Sequence, residues 1–244
     1  MRMRKKKNGA ARLEKCKQFL AVMPEKPIEN TERDFGRRAP LWLEIGAGKG
    51  GFALGMTARH PEIAYYAMER VPDCVVLAAE SLSAVSGEHP DNLRFIVGNA
   101  DDLGAWFALG AVDAIFLNFS DPWPKKGYAK RRLTYRAYLS LYFTLLRDGG
   151  TLQFKTDNTG LFDFTREELT ALGLSPALEE RNLHASPYDA DNIRTEYESA
   201  FAAQGVPICM LRVVKPAGYQ PPAFPLARPY RPGMPPVEEP DGEN

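Results

Sequence analysis

Glu44 stands directly before a glycine-rich turn, LEIGAGKGG (43–51), and Asp121 stands inside the stretch NFSDPWPKK (118–126). Each carboxylate lies at or just after the end of an apolar run, where a strand stops and a ligand can approach. Gly46, Gly48 and Gly51 match G-x-G-x-x-G, a spacing that lets the backbone come close to a nucleotide. Lys49 is followed by Gly50, where a phosphate-gripping loop of the Walker type needs Ser or Thr, so that pattern fails. An anion at position 44 would repel a pyrophosphate and attract a cation. S-adenosylmethionine, with an ammonium, a sulfonium and no phosphate, suits this loop better than a nicotinamide dinucleotide. Glu69 closes the next apolar run (AYYAMER) and is placed to take ribose hydroxyls, which either cofactor offers. Asn99, in GNADDL (98–103), is placed to bond an adenine edge.

In NFSDPWPKK, Pro122 and Pro124 fix φ and remove backbone donors, so Asp121 and Trp123 sit on a stiff turn suited to a flat polar ligand. Trp123 has three readings: a pocket wall, a stacking surface for a base, or ordinary buried packing. Net charge is zero, yet Lys125, Lys126, Lys130, Arg131, Arg132 and Arg136 form one basic cluster and Arg2, Arg4, Lys5, Lys6 and Lys7 another. Such clusters either meet a polyanion or are solvated surface. Asp157, in KTDN (155–158), is placed to bind ligand, and either it or Asn158 is placed to cap the following helix. Thr195 and Glu198 have the T-x-x-E spacing of a capping box.

The elements that must position these groups are legible as runs. Strand-like stretches at 41–45, 64–68, 93–97, 112–117 and 151–155 alternate with helix-compatible ones at 50–59, 72–85, 133–146 and 161–171. In the 133–146 segment, Leu133, Ala137, Leu141 and Leu145 recur every fourth residue. This order predicts an α/β fold built on a mostly parallel sheet covered on both faces. Runs at 177–183 and 207–214, with a helix at 194–203 between them, predict a C-terminal antiparallel hairpin and seven strands in all. The expected division is a basic arm at 1–11, one domain at 12–215 and a Pro-rich disordered tail at 216–244. No apolar run approaches a membrane span. Three scattered cysteines and three scattered histidines indicate neither a disulfide framework nor a metal site, and suit a reducing cytoplasm.

LEIGAGKGG, MER (68–70), FSDPWPKK with KRRLT (130–134) after it, KTDN and TEYE (195–198) resemble, in this order and spacing, the bacterial tRNA (guanine-N7-)-methyltransferases. The resemblance runs to about Val214. It implies a Rossmann-like class I methyltransferase fold, S-adenosylmethionine as methyl donor and tRNA as partner, with guanine 46 of the variable loop as target. Cofactor positions of the family fall on Glu44, Glu69, Asn99 and Asp121, beside the loop glycines Gly46 and Gly48, and its catalytic aspartate falls on Asp121. Its substrate positions fall on Lys125, Asp157, Thr195, Glu196, Tyr197 and Glu198. The segment Gly127, Tyr128, Ala129, Lys130, Arg131 and Arg132 matches its RNA-contacting portion. Three features depart from the pattern: Asn99 replaces a frequent aspartate, GYAKRR lacks a histidine often found before the basic triplet, and the Pro-rich tail has no counterpart. No metal is expected, and monomer or homodimer stays open. Guanine N7 carries a lone pair and no proton, so no general base is required, and Asp121 is expected to orient the base. The alternatives are a class I methyltransferase on another RNA and an RNA-binding protein without catalysis.

Overall fold

A computed structural model describes residues 8–83 and 90–226. The basic cluster at 2–7, His89, residues 84–85 of the expected second helix and the acidic stretch at 238–243 lie outside them. In chain order the elements are α1 (Gly9–Lys15), α2 (Glu32–Phe35), β1 (Leu41–Ile45), α3 (Gly51–Arg59), β2 (Ala64–Glu69), α4 (Pro72–Ser83) and β3 (Leu93–Val97). Then follow α5 (Leu103–Trp106), β4 (Val112–Asn118), α6 (Arg136–Leu145), β5 (Leu146–Thr156), α7 (Thr159–Ala171), β6 (Leu178–Glu180), α8 (Glu196–Ala202) and β7 (Cys209–Val214).

The seven strands form one sheet in the order β3-β2-β1-β4-β5-β7-β6. The first five are mutually parallel, and β7 inserts antiparallel between β5 and β6. Both sheet faces are covered, which is why the strands read as unbroken apolar runs. Tyr66 and Met68 of β2 and Ile115 and Leu117 of β4 pack on the side of α6 and α7. Their neighbours Tyr65, Ala67, Ala114 and Phe116 pack on the side of α3 and α4. Strand order reverses between β1 and β4, and in such sheets the crevice outside the strands' carboxyl ends at this point takes the ligand.

Three boundaries differ from expectation. Residues 9–11, read as part of a basic arm, belong to α1, which is docked on α4 through a paired Arg12–Glu80 contact. The start of the Pro-rich segment is packed as well: Tyr219 donates its hydroxyl to Leu172 O at 2.6 Å and sets its ring edge-on to Phe143. β5 begins at Leu146, five residues before the expected run, because Gly149 (φ 75°) and the tightly surrounded Gly150 let the strand bulge across RDGG. Among the described residues no helix is long and apolar enough to cross a membrane.

Candidate active site

At the switch point the loops after β1 and β4 enclose a hollow of about 220 Å³. Glu44, Gly46 and Gly48 line one wall, and Asn118 and Phe119 line the next. Thr195, Glu196 and Tyr197, at the start of α8, form the third. Gly46 and Gly48 have φ of 85° and 57°, a region that side chains other than glycine rarely adopt, and a Cβ at either would meet nothing within 4 Å. The loop therefore turns its open backbone toward vacant space. Met68 O anchors it by accepting from Gly46 N and Ala47 N.

Glu69 does not line the hollow. Its carboxylate accepts from Gly48 N at 3.0 Å and from Val71 N at 2.8 Å, and so ties the glycine loop to the end of β2. Asn99 lies apart too: its amide donates to Asp101 at 2.9 Å, and among the described residues nothing donates to its side-chain oxygen.

Glu44 forms the floor and is only 1% exposed. Burial pushes its carboxyl up to about 7, against the hydrogen bond from Asn118, the charge of Lys155 and the hydroxyl of Tyr65. Asn118 Nδ2 donates to Glu44 at 3.0 Å, while Asn118 Oδ1 is buried with no partner among the described residues. A buried acceptor without a donor is costly, and it marks where a ligand N–H would be satisfied. The sequence reading assigned Asn118 no role. The available signal was an amide as the last residue of an apolar run whose neighbouring strand carries Glu44.

The NFSDPWPKK turn is strained. Phe119 (φ 53°) and Trp123 (φ 40°) are both left-handed, at about 1–2 kcal/mol each for a side chain with a Cβ. Such residues persist where their surroundings over-determine them, and Arg132 does so here. Its guanidinium donates to Pro122 O and Trp123 O, each at 2.9 Å, and lies over the Phe164 ring. Arg131 stacks on Trp123 and Tyr128, whose rings meet edge-on at 5.9 Å. Trp123 is thus half-buried under an arginine, neither core nor free ring. Arg132, expected to contact RNA, clamps the turn. Arg132→Met should lower kcat/KM for methyl transfer roughly 10- to 100-fold by loosening that geometry. The slope of log affinity against log salt should stay unchanged, whereas loss of a phosphate contact would flatten it by about 1.

Asp121 is exposed on this turn and does not line the hollow, two residues beyond the left-handed Phe119 that leads the chain off the strand end. Among the described residues no hydrogen bond or ion pair engages its carboxylate. Lys125, Lys126 and Lys130 are likewise exposed and unpaired among the described residues, around the 3₁₀ turn that holds Gly127, Tyr128 and Ala129.

The third wall is fixed from below. Thr195 and Glu198 form a complete capping box at the start of α8. Glu198, expected to touch substrate, is fully buried. Its carboxylate is taken by Lys155 Nζ at 2.6 Å, Asn192 Nδ2 at 2.6 Å and His184 Nε2 at 2.9 Å. It holds the wall and presents nothing to a ligand. Burial alone would raise this carboxyl, but the Lys155 charge and the hydrogen bonds from Lys155, His184 and Asn192 together outweigh it, and the net shift is downward. Asn158 caps α7 by accepting from Leu161 N, which leaves Asp157 to accept from the Tyr197 hydroxyl at 3.2 Å. Tyr197, 43% exposed, sits between Phe119 at 5.0 Å and Phe201 at 4.2 Å.

Residues 38–211 match a family described as "Putative methyltransferase". The chain is similar to the tRNA (guanine-N(7)-)-methyltransferase of Limosilactobacillus reuteri (strain DSM 20016), with 44% identity over 79% of this chain and 92% of that one. It is also similar to the protein of that name from Geobacillus sp. (strain WCH70), with 39% identity over 90% and 98%. Among solved structures, an antibiotic-related methyltransferase overlays with a TM-score of 0.55 at 16% identity, covering 79% of this chain and 98% of that one. A 16S rRNA (adenine(1408)-N(1))-methyltransferase with cosubstrate SAM, from Catenulisporales acidiphilia, overlays at 0.53 with 15% identity, covering 82% and 98%. These two overlays show the fold, that of class I methyltransferases. The extent and identity of the sequence matches settle the kinship: this chain belongs to the tRNA (guanine-N7-)-methyltransferase family.

Proposed function

We propose that this protein transfers a methyl group from S-adenosylmethionine to N7 of a guanine in tRNA, guanine 46 of the variable loop. The observation that carries the donor half is the hollow's floor, where a buried carboxylate and the unpartnered Asn118 Oδ1 lie beneath an open glycine loop. A cationic nucleoside fits these groups: Glu44 and Asn118 would hold its ammonium, Glu69 its ribose, and the open oxygen of Asn99 the adenine amino group. When bound, S-adenosylmethionine supplies the methyl on a sulfonium, which leaves without further activation.

What remains for the chain is placement. Asp121, on its stiff turn beyond the end of β4, accepts from the N1–H and N2–H₂ donors of guanine, an array that adenine does not offer. Tyr197, steadied by Asp157, gives the base a flat neighbour; stacking of this kind is worth about 1–3 kcal/mol per base. Lys125, Lys126 and Lys130 meet phosphates, which position the RNA without reading its sequence.

The test is incubation with methyl-labelled cofactor and an unmodified tRNA transcript, followed by nucleoside analysis. Label in N7-methylguanosine from position 46 supports the reading, and label elsewhere or none overturns it. Binding of the transcript should weaken with salt, with a log–log slope between about −2 and −3 for three lysines on phosphates. A flat response would remove the lysines from the interface.

A further inference from the structure

Lys155 is a charged side chain that the proposed chemistry leaves unused, and it is completely buried. It ends the expected fifth strand run and is the cross-strand neighbour of Asn118. Its Nζ donates to Asn192 Oδ1 at 3.0 Å, Ile193 O at 2.9 Å and Glu198 Oε2 at 2.6 Å. Three donated bonds need three N–H groups, so the geometry is that of an ammonium rather than an amine. The ammonium also lies 4.9 Å from the centroid of Phe52, a residue that lines the hollow.

Two walls therefore meet at this one cation. On one side it grips the loop leading to Thr195, Glu196 and Tyr197. On the other, Asn118 stands between it and Glu44, and the two charges act on each other. We propose that Lys155 is a positioning residue for both: it fixes the wall that α8 contributes by direct bonds, and it serves as the counter-charge that keeps Glu44 an anion for a cationic cofactor. This inference rests on the reading of the hollow as the S-adenosylmethionine site.

Other groups facing Glu44 are Tyr65 and Glu69 on β2 and Asn118 on β4. Those facing Lys155 include Glu198 and Asp189. Tyr65 and Asn118 are neutral near pH 7, and Glu69 is of like charge, so Lys155 is the cation in this set.

The experiment is calorimetry of S-adenosylmethionine binding to the full chain from about pH 6 to about pH 9, for wild type, K155M, E44Q and the double variant. Wild-type affinity should rise with pH through a midpoint near 7, where Glu44 loses its proton. In K155M the midpoint should move up by about one pH unit, with binding roughly tenfold weaker than wild type at neutral pH and a difference from wild type that closes toward the alkaline end. In the E44Q background K155M should have no pH-dependent effect. The KM for tRNA should also rise in K155M, through the freed loop at 192–195. If K155M does not fold, K155M/E198Q removes the stranded carboxylate and must show the same raised midpoint. A wild type that ignores the cofactor at every pH would defeat the assignment of the hollow itself. A wild type that binds, with an unmoved midpoint in a folded Lys155 variant, would overturn the role of Lys155 alone.

Discussion

Asp121→Asn is expected to lower kcat/KM for tRNA methylation roughly 5- to 150-fold while leaving thermal unfolding where it is. The turn that carries Asp121 is held by other means: two prolines, the Arg132 clamp and the Arg131–Trp123 stack. Because its carboxylate is exposed and makes no bond among the described residues, nothing that folds the chain depends on it. Against guanine the substitution replaces an acceptor pair by one acceptor and one donor, and the new donor faces a donor of the base. A buried polar group left without a partner costs about 1–3 kcal/mol, which at about 1.4 kcal/mol per decade gives the stated range. Single-turnover rates with a tRNA transcript measure it. A wild-type rate would remove Asp121 from the reaction, and an equal loss in calorimetric cofactor affinity would move it from the base to the cofactor.

The strands were readable because covering both faces of a parallel sheet forces nearly continuous apolar runs, and the glycine loop because φ above zero demands glycine. The expected hairpin is present as the β6–β7 pair, yet nothing local in CMLRVV says that it enters between β5 and β6. That placement is set by long-range pairing. The same limit explains the site. Glu44, Gly46, Gly48, Thr195, Glu196 and Tyr197 come together in one hollow although the chain separates them widely. Asn118 and Lys155 escaped notice because each ends an apolar run, where an amide or a lysine looks like ordinary strand termination. Only the fold shows that these ends converge beside a buried carboxylate. The clamp made by Arg132 is hidden for a related reason, since a basic triplet looks alike whether it faces RNA or the carbonyls of its own loop. In Thr195 and Glu198 the capping-box spacing was the correct structural signal, and Glu198 adds to the box its bonds to Lys155, Asn192 and His184.

Glu44→Gln is expected to act in opposite directions on stability and on binding, and the sign follows from burial. The folded chain holds the Glu44 proton up to about pH 7, whereas an unfolded glutamate releases it near 4.5. Between those values the folded state binds more protons, so this group's contribution to stability is complete below about 4.5 and is lost as pH rises to about 7. The interval corresponds to about 3 kcal/mol. Glutamine has no proton to lose and still offers Asn118 Nδ2 an acceptor, so the ligand-free variant should melt higher than wild type at pH 8 and close to it at pH 5. Binding should move the other way. Loss of a charged hydrogen bond to the cofactor, worth about 1.5–3 kcal/mol, weakens affinity roughly 10- to 150-fold at pH 8. Saturating S-adenosylmethionine should therefore raise the melting temperature of wild type more than that of the variant, since a ligand stabilises in proportion to the logarithm of its concentration over Kd. Melting curves at the two pH values, with and without cofactor, test both halves. Equal melting of the two ligand-free proteins at pH 8 would mean that the buried carboxylate carries no strain, and with it would go the reason for a cation to settle there.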